Sequence, residues 1–318
     1  MSHEVETMMS VQEVPWHKQG TIVEDLQTAE EALRSAGLNW EVEAMPCYYQ
    51  EGKVFHEIPD KQVIVRKTDG QVYNITGKGY VPTQNAKCFN FFDGVIGSDH
   101  AKYSTAGSLK KGGVIWLLAK LSDCININGD DIEEYILLTN SHNGEFALQM
   151  FMTEVRVVCK NTLGMAQNGI KANRFYARHT ANIENRIENA QDILGMANVH
   201  FKAWTEEARY MVGKQMNTKE FEKFLEYCFP IPEPVAGQDT ISHTRTENQR
   251  EMVRVLAQTG MGMDNPAIQG TAWQNFNAVA EYTDHERNYK NDALHGIWFG
   301  SGAELKRKAW AYLLSRKN

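Results

Sequence analysis

Apolar and polar residues alternate through the first half of the chain, and this pattern predicts β-strands. We predict strands at residues 39–49, 62–67, 71–76, 114–121, 134–140 and 146–153. Asp69-Gly70 and Asn143-Gly144 each separate two of these runs, and such pairs are strong signals for hairpin turns. The stretch 110–113, Lys-Lys-Gly-Gly, indicates another turn with a charged tip.

Helical spacing of apolar residues dominates the second half. A short helix is predicted earlier, over residues 28–36, because Thr28 can cap it, Glu31 follows three positions later and Gly37 can end it. A second helix is predicted at residues 83–95. After Glu154 the helical runs are 155–166, 183–214, 218–227, 247–258, 273–287 and 303–315. The fold class predicted is therefore α+β, with an antiparallel β-rich N-terminal half containing short helices and a mainly helical C-terminal half.

Alternating prolines mark the best candidate for a linker. Pro230, Pro232 and Pro234 precede Gly237 and a polar stretch, and such a sequence sustains neither a helix nor a central strand. We predict an α+β core domain with a basic helix at 1–229, a linker at 230–246 and a helical region at 247–318.

Composition narrows the possible classes of protein. With 42% hydrophobic and 23% charged residues, the chain is typical of folded proteins and not of disordered ones. No run approaches the roughly 18 apolar residues that a membrane-spanning helix needs, and the acidic start does not resemble a secretory signal. We expect a protein of the host cell cytoplasm that does not bind a membrane.

The five cysteines are widely separated and include no Cys-x-x-Cys pair, so the sequence indicates neither a disulfide framework nor a zinc site. No cofactor is expected. The net charge of −7 argues against a surface covered in phosphate-binding cations, although a local basic groove remains compatible with it.

Residues 151–180 are the most suggestive local feature, with five cations against the single carboxylate of Glu154 and aromatic residues among the cations. If its first part is helical, Arg156 and Lys160 lie one turn apart and repel each other unless an anion bridges them. A phosphate backbone is such an anion, and aromatic rings between cations can stack on bases. The candidate nucleic-acid-binding residues are Lys110, Lys111, Arg156, Lys160, Lys171, Arg174, Phe175, Tyr176 and Arg178. In the alternative interpretation, Arg156 pairs with a distant carboxylate, the aromatic residues belong to the core, and Lys110 and Lys111 form a solvated hairpin tip.

The sequence contains no recognisable set of catalytic residues. Glu281 and His285 are one helical turn apart and would suit a shared metal, with Asp284 between them, but no other cluster completes such a site. His17, His142 and His179 stand alone in the sequence and are interpreted as structural hydrogen-bonding residues.

Several sequence blocks resemble one family, the phage/plasmid-like proteins that carry a domain of unknown function numbered 932. They include residues 15–21, Pro-Trp-His-Lys-Gln-Gly-Thr, in which Lys18 and Gln19 depart from the family pattern, and the blocks at 80–85, 105–109, 116–120, 156–163, 178–180, 270–285 and 298–302. The resemblance spans nearly the whole chain. It implies a protein of a mobile element, a phage or plasmid, and it implies no activity.

The order of elements is also similar to that of single-strand annealing proteins of phage recombination systems, which assemble as rings or filaments. Fold alone does not establish function. The sequence therefore leaves three hypotheses: a non-enzymatic oligomer that binds or anneals single-stranded DNA, an interaction protein acting on a host defence or replication factor, and a metal-dependent nuclease. The three hypotheses predict different partners. The first predicts single-stranded DNA and further copies of the chain, the second predicts a host protein, and the third predicts a metal ion.

Overall fold

The structure of the chain is a computed structural model. It describes residues 5–11, 20–24, 28–96, 101–156, 161–162, 174–180, 191–231, 241–290, 293–298 and 300–315. Within these ranges the predicted fold class is confirmed, because strands dominate the first half and helices the second.

The described strands form two sheets. In chain order the strands are β1 Val5–Val11, β2 Thr21–Val23, β3 Val42–Glu51, β4 Val54–Arg66, β5 Val72–Gly77, β6 Ala101–Leu109, β7 Val114–Ile127, β8 Asp130–Ser141, β9 Leu148–Arg156, β10 Asn161–Thr162 and β11 Arg174–Ala177. The larger sheet has the order β10-β9-β8-β7-β6-β1-β2, with β11 also paired to β9, and the smaller sheet has the order β3-β4-β5.

All three turns predicted from glycine-containing pairs are confirmed. Asp69-Gly70 lies between β4 and β5, the stretch 110–113 joins β6 to β7, and Asn143-Gly144 lies between β8 and β9. Lys110 and Lys111 both adopt positive φ angles, 53° and 55°, in the tip of their turn. Non-glycine residues rarely adopt this left-handed conformation, so the tip is tightly bent.

Seven of the eight described helices overlap predicted ones with shifted ends, and the helix at Ala293–Trp298 was not predicted. The described helices are α1 Ala29–Ser35, α2 Asn85–Ile96, α3 Gln191–Gly213, α4 Thr218–Cys228, α5 Ile241–Thr259, α6 Ala272–Glu281, α7 Ala293–Trp298 and α8 Ser301–Leu314. A π-helical segment, Tyr282–Glu286, follows α6 directly. Thr28 and Glu31 form a reciprocal capping box on α1, as the sequence predicts.

The helix predicted at 155–166 is wrong where the structure describes it. Strand β9 continues to Arg156, and Asn161 and Thr162 pair with Arg156 and Val155 in an antiparallel register. The β-branched residues Val155, Val157 and Val158 favour a strand, and continuation of the sheet decides between the two interpretations. Arg156 is therefore not placed by a helix, and the predicted basic helix is absent at its position.

The linker at 230–246 stays a prediction, as do the domain boundaries beside it. Residues 232–240 lie outside the described residues, and α5 begins at Ile241.

The chain divides into two compact units that are not continuous in sequence. Unit 1 comprises residues 1–122, 135–151 and 172–198, and unit 2 comprises residues 123–134, 152–171 and 199–318. In unit 1 the helices α1 and α2 pack together. Its fully buried side chains include Met9, Leu38, Ile64, Phe89, Phe92, Leu109 and Trp116.

Unit 2 has an aromatic core. Trp204 stacks on Trp310 with ring centroids 5.4 Å apart, and Trp273 lies edge-on to Trp204 at 5.9 Å. Ile127 and Ile132 belong to the same core and are fully buried. Among the residues that the structure describes, no helix is long and apolar enough to cross a membrane.

Candidate functional site

Two buried histidines occupy unit 1 and lie among hydrogen-bonding residues. His142 follows the end of β8 and is 0% exposed, and His179 follows β11 and is 7% exposed. The polar side chains around them are also buried. We call this group the histidine cluster, and it consists of His142, His179, Thr83, Asn85 and Asn140.

The segment of residues 83–85, at the start of α2, holds His142 in one orientation. Asn85 Oδ1 lies 2.9 Å from His142 Nε2, while Asn85 Nδ2 donates to the Leu38 carbonyl oxygen at 3.0 Å. A second bond from Asn85 Nδ2 reaches the Trp40 carbonyl oxygen at 3.4 Å. Because the amide nitrogen is directed at these carbonyls, the amide oxygen must face the imidazole and accept the Nε2 proton. His142 is thereby fixed as the tautomer protonated on Nε2.

The same segment holds His179 and Asn140. Thr83 Oγ1 lies 3.2 Å from His179 Nδ1, and Asn140 Nδ2 donates to the Thr83 carbonyl oxygen at 3.5 Å. The Tyr80 ring stacks on His179 with centroids 4.9 Å apart, and the Val81 amide donates to the His179 carbonyl oxygen at 3.1 Å.

Aromatic rings cover the other side of His142. Tyr73 stacks on it at 5.7 Å, and Trp40 meets it edge-on at 5.4 Å. The Arg66 guanidinium lies 5.0 Å from the Trp40 ring centroid and is bonded to the carboxylates of Glu6 and Asp69. The Arg66 guanidinium is therefore paired with two carboxylates beside the Trp40 ring.

Burial keeps both imidazoles neutral. Desolvation lowers the pKa of His142 to about 3, with a smaller contribution from the nearby His179. Desolvation also lowers the pKa of His179 to about 4, partly opposed by hydrogen bonding of the imidazole to the Val81 backbone. At neutral pH each ring therefore carries one proton and one lone pair.

Two predicted cations, Lys110 and Lys111, lie in a turn beside the histidine cluster. The backbone amides of His142 and Asn143 donate to the Gly113 carbonyl oxygen at 2.8 and 3.2 Å, which brings the 110–113 turn next to β8. Lys110 Nζ bonds Glu145 Oε1 at 2.5 Å, so the predicted free cation is instead paired with a carboxylate. Lys111 is exposed.

Strand β11 places further predicted residues at this end of the sheet. Ala177 pairs with Leu148 at the start of β9 and is fully buried, whereas Tyr176 is 41% exposed and Arg178 is exposed. Arg174 holds the strand position opposite Phe151, two residues before Tyr176, and Phe175 holds the position opposite Met150.

Of the three remaining predicted residues, the structure describes only Arg156. Arg156 is the last residue of β9, eight positions after Leu148, and belongs to unit 2. Lys160 and Lys171 lie outside the described residues.

The carboxylates considered for a nuclease have structural partners. Both oxygens of Glu281 accept the Met261 amide, at 3.2 and 3.1 Å, and Asp284 Oδ1 bonds Lys306 Nζ at 2.7 Å. Within the described ranges, no group of three or more His, Cys, Asp or Glu residues is arranged to hold a metal. The geometry therefore does not favour a metal site on these residues.

An open cleft of about 560 Å³ lies in unit 2 between α5 and the π-helical segment. Arg245, Asn248 and Gln249 of α5 line one side, and Tyr282 and Glu286 lie on the other. The cleft is wide and its α5 residues are mostly exposed.

Sequence reasoning missed the histidine cluster because its members are far apart along the chain. The pairs Thr83–His179 and Asn85–His142 join positions 96 and 57 residues apart. One signal could have pointed to it: residues 80–85 and 178–180, two blocks that carry the family resemblance, meet at this site.

Comparison with known proteins gives one match. Residues 72–310 match the model of a family described as "Domain of unknown function (DUF932)", which covers well over half of the chain. No curated protein and no solved structure matches the chain.

Proposed function

The chain belongs to the DUF932 family, and from the geometry of β11 we propose that it binds single-stranded nucleic acid. The observation that supports the proposal is the exposed pair Tyr176 and Arg178 on either side of the buried Ala177. Tyr176 lies in β11 and Arg178 directly follows the strand, so an exposed aromatic ring and an exposed guanidinium are two residues apart. This pairing of a stacking platform with a phosphate-binding cation is typical of proteins that hold single strands.

The proposal includes two further residues. Arg174 occupies the strand position two residues before Tyr176. Lys111 is exposed in the turn next to β8, at the same end of the sheet. Lys110 is excluded from the proposed contacts because Glu145 neutralises it.

In this proposal the protein serves a phage or plasmid in the cytoplasm of the host cell, binding or annealing single-stranded DNA as an oligomer. The local surface matters more than the net charge of −7, because electrostatic interactions between exposed charges are screened beyond about 8 Å at physiological salt. The chemistry is binding and requires no catalytic residue.

The test is a salt titration of binding to a fluorescent oligothymidylate, measured by anisotropy. We expect affinity to fall linearly with salt on logarithmic axes, since each phosphate contact releases counterions. Arg178→Gln should lower the magnitude of the slope by about 0.7, the value for one contact on a single strand. Tyr176→Ala should weaken binding by roughly 5- to 100-fold at every salt concentration, whereas Tyr176→Phe should retain it.

The matched control is Arg209→Gln, which removes the same charge from an exposed position on α3. It should leave both slope and affinity unchanged. An absence of binding at low salt, or equal effects of Arg178→Gln and Arg209→Gln, would overturn the proposal.

A further inference from the structure

The hairpin of β3 and β4 extends beyond the rest of its sheet. Strand β5 pairs with residues 61–65 of β4, whereas residues 54–57 of β4 pair with β3 in a two-stranded ribbon. We call residues 48–57 the arm. Every residue of the arm is exposed except His56, which is half-buried, and a Cβ atom added to Gly52 in its turn would meet nothing within 4 Å. The arm therefore projects into open space.

The arm carries large apolar side chains on both of its faces. The exposed fractions are 53% for Tyr48, 51% for Tyr49, 56% for Val54 and 67% for Phe55. Tyr48 and Phe55 are diagonal neighbours across the two strands and share one face. Tyr49 lies opposite His56 on the other face and stacks on it with ring centroids 5.1 Å apart. Neither face of the arm is covered by the protein's own core.

A second apolar surface lies at the base of the same sheet. Met45, Val63 and Ile75 are direct neighbours across β3, β4 and β5, and residues directly opposite each other share a face. We call these three residues the apolar row. Met45 is 44% exposed and Ile75 is 58% exposed, whereas Ile64, on the alternate face of β4, is fully buried. The apolar row therefore faces away from the core.

Together the arm and the apolar row expose enough apolar area for a stable dimer. Aromatic side chains bury roughly 150–250 Å² and aliphatic ones somewhat less, so the six exposed side chains present on the order of 600 Å². That area is at the upper end of the largest patches on monomers, about 300–600 Å². Because about 60% of an interface is apolar, its burial in two copies corresponds to roughly 2,000 Å² of total interface, within the usual range of about 1,200–2,000 Å².

The charges of this surface favour a second copy over a charged partner. The charged side chains of residues 44–61 are Lys53, Lys61, Glu51, Glu57 and Asp60. Two cations against three carboxylates are nearly balanced, whereas the whole chain has a net charge of −7. Two copies therefore repel each other less at this surface than elsewhere, and a polyanion or an anionic lipid surface finds no excess of positive charge there.

From these observations we propose that the arm of one copy docks on the apolar row of a second copy of the chain, and that the second arm docks reciprocally on the first copy. Such an isologous contact forms a two-fold dimer in which each copy supplies both surfaces. The contact goes beyond the proposed binding of nucleic acid and does not depend on it.

The experiment is sedimentation velocity of the full-length protein over a series of concentrations, without nucleic acid. We expect a dimer that dissociates on dilution. The double variant Tyr48→Asp with Phe55→Asp should be monomeric at the same concentrations, and Ile75→Asp in the apolar row should weaken association by roughly 30-fold or more. Val199→Asp is the matched control, because Val199 is 66% exposed on α3 in unit 2, and it should dimerise like the wild type.

Cysteine cross-linking tests the reciprocal geometry separately. A mixture of Phe55→Cys and Ile75→Cys proteins should form a disulfide-linked dimer under mild oxidation, whereas a mixture of Val199→Cys and Ile75→Cys proteins should not. A monomeric wild type at every concentration, an unchanged dimer in the double arm variant, or equal cross-linking of the two mixtures would overturn the proposal. A monomeric wild type that binds phosphatidylglycerol vesicles only with an intact arm would also overturn it, and would assign the arm to a membrane surface.

Discussion

Burial of His142 and His179 makes the folded chain sensitive to acid. Both imidazoles ordinarily titrate near pH 6.5, and burial lowers their pKa values to about 3 and about 4 in the folded chain. In the unfolded chain they take up protons below pH 6.5, whereas in the folded chain they do so only below these lowered values. The folded state therefore loses stability as pH falls from 6.5 towards 4, and not on the alkaline side.

The first prediction concerns this pH window. Between pH 7 and pH 4.5, the protein should lose on the order of 2 kcal/mol of unfolding free energy per buried histidine, since one pKa unit corresponds to about 1.4 kcal/mol. Urea unfolding at a series of pH values measures it.

Other groups also titrate at acid pH, so the pH dependence of the unfolding free energy is compared between the wild type and a variant. Asp69 has a pKa lowered by its bond to Arg66 and also loses stabilisation in acid. His179→Gln removes one imidazole and should flatten the dependence by about half, whereas the exposed-site variant His243→Gln should keep it. Equal slopes for all three proteins would contradict the prediction.

Single residues also show where the sequence is informative. Thr28 and Glu31 predict their capping box because the interaction is local, three positions apart. His142 and His179 are interpreted from sequence as isolated structural residues, because nothing local indicates that Thr83 and Asn85 will meet them. Contacts between residues 57 and 96 positions apart form only in the folded sheet, so they produce no recognisable spacing in the sequence.

At the scale of elements, the π-helical segment after α6 is tied to α8 by a buried ion pair. Asp284 and Lys306 are 6% and 3% exposed, with Oδ1 and Nζ 2.7 Å apart. Two charges removed from water in this way each depend on the other, because an unpaired charge in the interior is strongly unfavourable. The pair explains why Asp284, considered for metal binding from sequence, has a structural role.

The second prediction tests this pair. Lys306→Met should lower the unfolding free energy by about 3–5 kcal/mol, because the Asp284 carboxylate stays buried without its cation. The double variant Asp284→Asn with Lys306→Met should recover most of the loss. Chemical denaturation of both variants measures the difference.

The control is Lys308→Met, two positions along α8, where the ammonium lies over the Tyr227 ring at 4.8 Å. A cation–π contact at a partly exposed site contributes about 0.5–1 kcal/mol, so this change should be small. Similar losses in the Lys306→Met and Lys308→Met variants would contradict the assignment.

The type of an element can be predicted from the sequence where the apolar periodicity is strong. The prediction fails where pairing with neighbouring strands decides the structure. Helices α4 and α8 lie where the apolar spacing predicts them. Strand β6 was missed because Ser, Thr, Ala and Gly fill most of Ala101–Leu109, and pairing with β1 and β7 makes it a strand. The same effect converts Val155 and Arg156 from a predicted helix into the end of β9.

At the scale of the whole molecule, each unit is assembled from separated stretches of chain. Unit 2 takes residues 123–134 and 152–171 into the same body as its helices. Ile127 and Ile132 are fully buried in its aromatic core, and Asp130 accepts the Trp273 Nε1 proton at 2.8 Å. The helical part alone is therefore an incomplete core.

The third prediction follows from this incompleteness. A fragment of residues 199–318 should be helical by far-ultraviolet circular dichroism but should lack the near-ultraviolet signal of ordered tryptophans and should bind a hydrophobic dye. The full-length chain is the control. Cooperative unfolding of the fragment with the tryptophan signal intact would contradict the prediction.

Interleaving of the two units also sets an order for events on the ribosome. Unit 1 cannot be completed until residues 172–198 have emerged, because they belong to it. By then Ile127 and Ile132 have long left the exit tunnel, while the helices that will bury them are still being translated. The nascent chain therefore keeps Ile127 and Ile132 out of their core for the time needed to synthesise about 180 further residues, on the order of ten seconds or more. Slower translation after residue 134 should prolong the exposure of these two side chains to water.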